Sequence, residues 1–174
     1  PAKLVARREK LAGELQGLVD ARGVLAAGLG HLGTTAAAAL DGFQEVCASS
    51  PLPVVADIHF DHRLAVEAAR RGAAGMRINP GNIGDWDRVD ACIDAAGEAG
   101  IPIRIGVNAG SLDAQFAERQ DLTLPQKLVA SASSFVAHFR DRGFEDIVLS
   151  AKAHDVPTTL STYRALSREL PEVP

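Results

Sequence analysis

The chain has 174 residues, of which 47% are hydrophobic and 23% charged, values ordinary for a soluble globular domain. Its 18 Lys and Arg residues against 22 Asp and Glu give a formal net charge of −4, so no basic excess points to nucleic acid or to a membrane surface as a partner. There is no apolar run of about 18 residues, and the charged N-terminus lacks a signal-peptide pattern, so we expect a cytoplasmic location.

The first 50 residues carry weak structural signals. Apolar residues recur at helical spacing over residues 3–22, and a short apolar run at 24–29 is a weak strand candidate. Thr34 could cap an alanine-rich helix that reaches about Ala48, where Pro51 and Pro53 end it.

From Pro53 onward, β-branched apolar runs alternate regularly with helical patterns. Strands are predicted at 53–58, 74–79, 102–107 and 146–150, and helices at 62–71, 86–99, 125–142 and 158–170, with Asp61 and Asp85 as caps of the first two. This alternation predicts βαβ units and an α/β fold with a largely parallel sheet. At most five strands are counted, whereas a TIM barrel has eight and about 250 residues. The chain is therefore predicted to be an incomplete barrel of TIM type, a smaller doubly wound sheet, or an excised piece.

Polar residues end four successive predicted strands, and they share one parity. Residues two apart on a strand face the same side, so these side chains should gather at the carboxyl edge of the sheet, where parallel α/β folds bind ligands. Three cations against one carboxylate favour an anion, and arginine forks suit phosphate oxygens. The sequence thus predicts a site for a small phosphorylated substrate, formed by Asp57, His59, Arg77, Asn79, Arg104, Asn108, Ser150 and Lys152.

Two glycine-containing segments leave alternatives open. In the predicted turn 80–84, the glycines could bring N–H groups close to an anion, or they could only permit a tight turn. Residues Gly28, Gly30 and Gly33 form a G-x-G-x-x-G pattern, and Asp57 ends the next strong strand, near the ribose-binding position of a dinucleotide fold. An NAD(P)-binding oxidoreductase is therefore an alternative function.

Metal-ligand patterns are weak. Cys47 and Cys92 form no C-x-x-C pair and are best interpreted as two thiols of a reducing cytosol. His59 and His62 lack the H-E-x-x-H pattern, and the remaining histidines are expected at loop or surface positions: His31, His138 and His154. No metal site and no cofactor-binding residue are predicted.

The motif-bearing segments resemble one family closely. They read V-V-A-D-I-H-F-D at 54–61, R-I-N-P-G-N-I-G at 77–84, R-I-G-V-N-A-G-S at 104–111 and L-S-A-K-A at 149–153. In that order and spacing they resemble the 4-hydroxy-3-methylbut-2-en-1-yl diphosphate synthases over roughly residues 51–160.

The resemblance implies an iron–sulfur oxidoreductase of isoprenoid biosynthesis, in the methylerythritol phosphate pathway. Such an enzyme reductively opens 2-C-methyl-D-erythritol 2,4-cyclodiphosphate, with a TIM barrel holding the substrate and a second domain supplying a 4Fe-4S cluster. Flavodoxin or ferredoxin would be the electron donor, and a homodimer is a possible assembly. By resemblance, three cations would hold the diphosphate, namely Arg77, Arg104 and Lys152. Asp57, Asn79 and Asn108 would position the diphosphate and its hydroxyls, with His59 and Ser150 as weaker carry-overs.

The sequence also departs from the family pattern. Residues 1–50 match poorly, and 23–33 stand where the family has a second strand bearing an arginine. The given sequence reaches Pro174 before the last two barrel strands, and Cys47 and Cys92 cannot replace the ligands of the cysteine-rich cluster domain. We therefore expect a single partial-barrel domain over 1–174, with its motif-bearing units at 51–170 and without the iron–sulfur domain. Such a chain is expected to be inactive alone, and a non-catalytic scaffold is a further alternative.

Overall fold

The structure, a computed structural model, describes residues 34–174, with side chains from residue 39 onward. Strands and helices alternate along this part of the chain, and a 3-10 turn at Ala109–Ser111 follows the third strand. The elements are α1 (Thr34–Ser49), β1 (Val55–Ile58), α2 (His62–Arg70), β2 (Gly75–Ile78), α3 (Pro80–Ile83), α4 (Trp86–Ala99), β3 (Ile103–Asn108), α5 (Ala114–Ala117), α6 (Leu124–Asp141), β4 (Ile147–Lys152) and α7 (Val156–Glu169).

The four strands form one parallel sheet in the order β1-β2-β3-β4, which confirms the predicted α/β fold. Each new strand is added on the same side of the previous one, and right-handed crossovers then place every connecting helix on one face of the sheet. A doubly wound sheet requires a reversal of strand order, because its helices cover both faces. No reversal occurs among the described strands, so their arrangement is that of a barrel segment. The predicted strand at 24–29 lies outside the described residues.

The hydrophobic core lies between the sheet and these helices. Alternate strand residues face the helices and are at most 4% exposed in the first three strands: Ala56, Ile58, Met76, Ile78, Ile103, Ile105 and Val107. The helices contribute apolar residues such as Val89, Leu128, Val136 and Phe139 to the same cluster. On the opposite face, the strand residues are polar or small apart from Val55 and Val148, and the described helices leave that face open.

Capping residues fix where the helices begin and end. The Asp61 carboxylate accepts a hydrogen bond from the Arg63 backbone N–H at 3.0 Å, which confirms the predicted cap of α2, and its hydrogen bonds with the Arg63 guanidinium lower the pKa of Asp61. Asp85 occupies the N-cap position of α4, but its side chain makes no capping hydrogen bond. Gly100 ends α4 in the left-handed conformation, at φ 64°.

Three sequence predictions require correction. The predicted turn at 80–84 contains the one-turn helix α3, which starts after the cap residue Asn79. The last strand continues two residues beyond its predicted end, to Lys152, because its pairing with β3 continues to Asn108. His138 was expected at a loop or surface position, but it lies half-buried within α6 because its ring packs against α4.

No helix in the described part combines the length and apolarity needed to cross a bilayer.

A cluster of aromatic and charged side chains joins α4 to α6. The His138 ring stacks on Trp86 with ring centroids 4.1 Å apart, and His138 Nε2 lies 2.6 Å from Asp90 Oδ1. One turn further along, Arg142 donates to Asp94 at 2.8 Å. These contacts fix the position of one covering helix relative to the next.

Replacing His138 by alanine is expected to lower the free energy of unfolding by ~1–2 kcal/mol, since the variant loses a stacked ring and leaves Asp90 without its hydrogen-bond partner. Chemical denaturation followed by circular dichroism measures the change. His154→Ala is the matched control, because His154 is exposed in the loop after β4. Equal stability of the two variants would show that the cluster contributes nothing.

Candidate anion-binding site

The strand register places the predicted site residues on the open face of the sheet. Asp57 pairs with Arg77, and Arg77 pairs in turn with Arg104. Further along β3, Asn108 pairs with Lys152. Paired residues of a parallel ladder, and residues two apart on one strand, point to the same side. Six of the eight predicted residues therefore lie within the strands on one face: Asp57, Arg77, Arg104, Asn108, Ser150 and Lys152. The other two directly follow strand ends, His59 after β1 and Asn79 after β2.

Arg77 forms the central contacts of this face. Its Nη1 donates to Asp57 Oδ1 at 3.0 Å and lies 2.9 Å from His59 Nε2, while Nη2 donates to the Gly106 carbonyl at 3.0 Å. Arginine carries donors only, so the contact with Arg77 requires His59 Nε2 to be the acceptor, and the same nitrogen lies 3.4 Å from Asp57 Oδ1. The side chains of Arg77 and Asp57 are only 11% and 13% exposed. The guanidinium is thus held from β1 on one side and from β3 on the other.

Gly106 provides the space that the guanidinium occupies. A Cβ atom at Gly106 would lie 2.3 Å from Arg77 Nε and 2.8 Å from Nη2, distances that no side chain can adopt beside an unmoved arginine. Sequence reasoning assigned no role to this glycine, although a glycine inside a strand often marks a close approach of another group. Only the structure identifies Arg77 as that group.

Two further cations lie on this face beside the paired Arg77. Arg104 is half-buried and Lys152 is exposed, and neither forms an ion pair within residues 34–174. The carboxylate of Asp57 is already bound to Arg77. The excess positive charge predicted from the sequence is therefore located at Arg104 and Lys152, on neighbouring strands of the same face.

Neutral donors accompany these cations. Asn108 accepts a hydrogen bond from the Gly110 N–H through Oδ1 at 3.1 Å, which leaves its NH₂ group as a donor. The half-buried Ser150 pairs in register with Gly106, between the level of Arg104 and that of Lys152. The face can thus offer both charged and neutral hydrogen bonds to an anion.

Asn79 has a different position from the other predicted site residues. It is 1% exposed, its Nδ2 donates to Ser111 Oγ at 2.8 Å, and its Oδ1 accepts from the Gly81 N–H at 3.1 Å. A Cβ atom at Gly81 would lie 1.6 Å from the Ser111 carbonyl oxygen. Asn79 therefore ties the loop after β2 to the loop after β3, and Gly81 serves the close approach of those loops rather than offering its N–H to a ligand. Sequence reasoning missed Ser111, the partner that this junction requires.

The described residues do not fit a metal ion or an iron–sulfur cluster. No group of three or more His, Cys, Asp or Glu side chains within residues 34–174 is arranged to hold a metal. Cluster ligation requires thiolates brought together. Burial raises the pKa of the Cys92 thiol to about 12, and it also raises the pKa of Cys47.

The dinucleotide alternative gains no support from the geometry. Its glycines, at positions 28, 30 and 33, lie outside the described residues. Asp57, the candidate ribose ligand, is bound to Arg77. The strand-order reversal at which dinucleotides bind is not found among the described strands.

Comparisons with known proteins agree with the motif resemblance. A family model described as the GcpE TIM-barrel domain matches residues 27–174, beginning inside the segment where the motifs match poorly. Three curated relatives carry the name 4-hydroxy-3-methylbut-2-en-1-yl diphosphate synthase (flavodoxin). The protein of Pseudomonas syringae is 46% identical to this chain over 132 residues, that of Clostridium acetobutylicum 44% over 132 residues, and that of Bifidobacterium longum 47% over 129 residues. These alignments cover 76%, 76% and 73% of the chain but 36%, 38% and 32% of the relatives, so the chain spans about a third of their length. The family resemblance inferred from the motifs is confirmed.

Binding of NAD(H) is expected to be no stronger than nonspecific, because Asp57 is already bound to a cation. Titration of the protein with NADH, followed by fluorescence of the nicotinamide, measures this. Micromolar binding that is lost in Gly30→Val, where a side chain would block the pyrophosphate, would contradict the expectation.

Proposed function

This chain belongs to the family of the GcpE TIM-barrel domain, and from that membership we propose that it forms the diphosphate-binding part of a 4-hydroxy-3-methylbut-2-en-1-yl diphosphate synthase. The substrate is 2-C-methyl-D-erythritol 2,4-cyclodiphosphate, which the enzyme opens and dehydroxylates reductively in isoprenoid biosynthesis. The observation that carries the proposal is the open face of the sheet, where Arg104 and Lys152 have no ion-pair partner within residues 34–174.

The charges of this face suit a diphosphate. Arg77 and Asp57 balance each other, so Arg104 and Lys152 contribute two net positive charges to a ligand that carries negative charge on both phosphates. The Arg104 guanidinium can bind two phosphate oxygens at once, whereas the Lys152 ammonium acts as a compact point charge at the end of β4. Paired strands lie about 4.8 Å apart, which allows one small ligand to span β3 and β4.

The remaining residues orient the ligand. Asn108 and Ser150 donate neutral hydrogen bonds to phosphate or hydroxyl oxygens. Arg77 has five N–H donors, of which three are used by Asp57, His59 and Gly106, so it can add at most two to the ligand. Asn79 acts indirectly by joining the two loops at this edge of the sheet.

The electrons for the reaction come from elsewhere in the proposed enzyme. Family membership implies a 4Fe-4S cluster that supplies two electrons, received from flavodoxin or ferredoxin. The described residues do not fit that cluster, so the proposed contribution of this chain is to bind and orient the substrate. The proposed enzyme is cytoplasmic, and a homodimer is its proposed assembly.

Arg104→Ala and Lys152→Ala are each expected to weaken binding of the cyclodiphosphate about ten- to a hundredfold, because each removes a charge-assisted contact worth ~1.5–3 kcal/mol. Arg104→Lys is also expected to weaken binding, since lysine cannot form the bidentate fork. Isothermal calorimetry measures the affinities, using the protein expressed from its complete reading frame.

Arg70→Ala and Arg140→Ala are the controls for that experiment. Arg70 is 63% exposed on α2, and Arg140 on α6 binds Glu172, so neither lies on the open face. Both should leave the affinity unchanged. Equal losses in controls and site variants would reduce the interaction to nonspecific charge attraction and remove the basis of the proposal.

The purified 174-residue chain is expected to assemble no iron–sulfur cluster, because its two cysteines cannot supply the ligand set. Anaerobic reconstitution, followed by iron and sulfide analysis and by electron paramagnetic resonance after reduction, checks this. One stoichiometric cluster per chain would contradict it.

A further inference from the structure

We propose that Gly106 is a positioning residue for the substrate site, which fixes the Arg77 guanidinium by leaving the space it occupies and by accepting its hydrogen bond. The consequence for ligand binding rests on the proposed function, whereas the effect on Arg77 itself does not. Gly106 lies in the middle of β3 and contacts Arg77 of β2 from the neighbouring strand.

The first step is steric. The three atoms nearest to a Cβ at Gly106 would all belong to the Arg77 guanidinium, at 2.3 Å (Nε), 2.8 Å (Nη2) and 2.9 Å (Cζ). None of the three belongs to the hydrophobic core. A methyl group there would need a carbon–nitrogen separation of about 3.5 Å or more, the normal contact distance, so the guanidinium would move by about 1 Å.

The second step is electrostatic. Arg77 Nη1 is held by Asp57 at 3.0 Å and by His59 at 2.9 Å, and Nη2 by the Gly106 carbonyl at 3.0 Å. Hydrogen bonds weaken steeply when distance and angle depart from these values. A displacement of about 1 Å therefore breaks at least part of this set, and the two remaining donors of Arg77 change position with it.

The third step concerns Arg104, which pairs in register with Arg77 on the same face. Like charges on directly paired residues repel one another. Asp57 and the Gly106 carbonyl hold the Arg77 charge in a defined place and offset that repulsion. A displaced Arg77 would alter the field around Arg104, so Gly106 influences both arginines.

The variant Gly106→Ala tests this directly, with Gly75→Ala as the matched control. Gly75 is a buried glycine of β2 on the same face, but the nearest described atoms to a Cβ there belong to Pro102 and Val55, at ordinary distances of 3.4–3.7 Å. Nitrogen-15 spectra of the histidine rings, recorded without ligand, report whether His59 Nε2 still accepts from Arg77. The resonance, assigned with His59→Gln, is expected to shift in Gly106→Ala and to remain in place in Gly75→Ala.

Ligand affinity supplies the second measurement, as a double-mutant cycle with Arg77→Ala. Gly106→Ala alone should weaken binding of the cyclodiphosphate at least tenfold, whereas in the Arg77→Ala background it should change the affinity by less than about twofold. The same loss in both backgrounds, or an unmoved His59 resonance, would overturn the inference. If Gly106→Ala does not fold and Arg77→Ala does, the double variant should fold as Arg77→Ala does, because the clash is gone; a double variant that fails where Arg77→Ala folds also contradicts the inference. If the wild-type protein does not bind the diphosphate, the proposed function fails, and the His59 resonance alone decides the role of Gly106.

Discussion

The Arg77 side chain lies across the sheet, with its guanidinium bound to the Asp57 carboxylate on β1 and to the Gly106 carbonyl on β3. Both members of the ion pair are nearly buried, so removing one partner would leave an uncompensated charge at a typical cost of 3–5 kcal/mol. The pair also allows two arginines to stand side by side in register, because the carboxylate offsets one of the two charges. The second arginine, Arg104, forms no ion pair within residues 34–174, and in the proposed function it is a cation that attracts the anion.

Contacts between the neighbouring loops support this arrangement. The buried amide of Asn79 connects the loop after β2 to Ser111 in the loop after β3, and Gly81 lets the two backbones approach closely. A binding site is effective when its residues are held in place before the ligand arrives, since less ordering is then required on binding. In the proposed site, Asn79 would act indirectly, by joining these two loops.

The proposed division of labour follows from the chemistry that each part of the chain presents. The open face offers cations and neutral donors, which bind and orient an anion but transfer no electrons. Burial raises the pKa of both Cys47 and Cys92, which disfavours the thiolate form that cluster ligands need. Substrate binding and electron delivery are therefore assigned to different parts of the proposed enzyme.

Local sequence patterns were enough to predict the parallel α/β fold and the shared face of the strand-end residues, because the two-residue period of a strand and the right-handed crossover are local or general constraints. They also indicated the family, through motifs that each occupy a few consecutive residues. The pairing of Arg77 is visible only in the folded protein, since Arg77 meets Asp57 and the Gly106 carbonyl across 20 and 29 residues of chain. The burial of Asn79 depends on Ser111, 32 residues away, and the place of His138 depends on Asp90, 48 residues away. Such contacts between distant segments leave no periodic signal in the sequence, and for that reason the role of Gly106 became visible only once the neighbouring strand was in place.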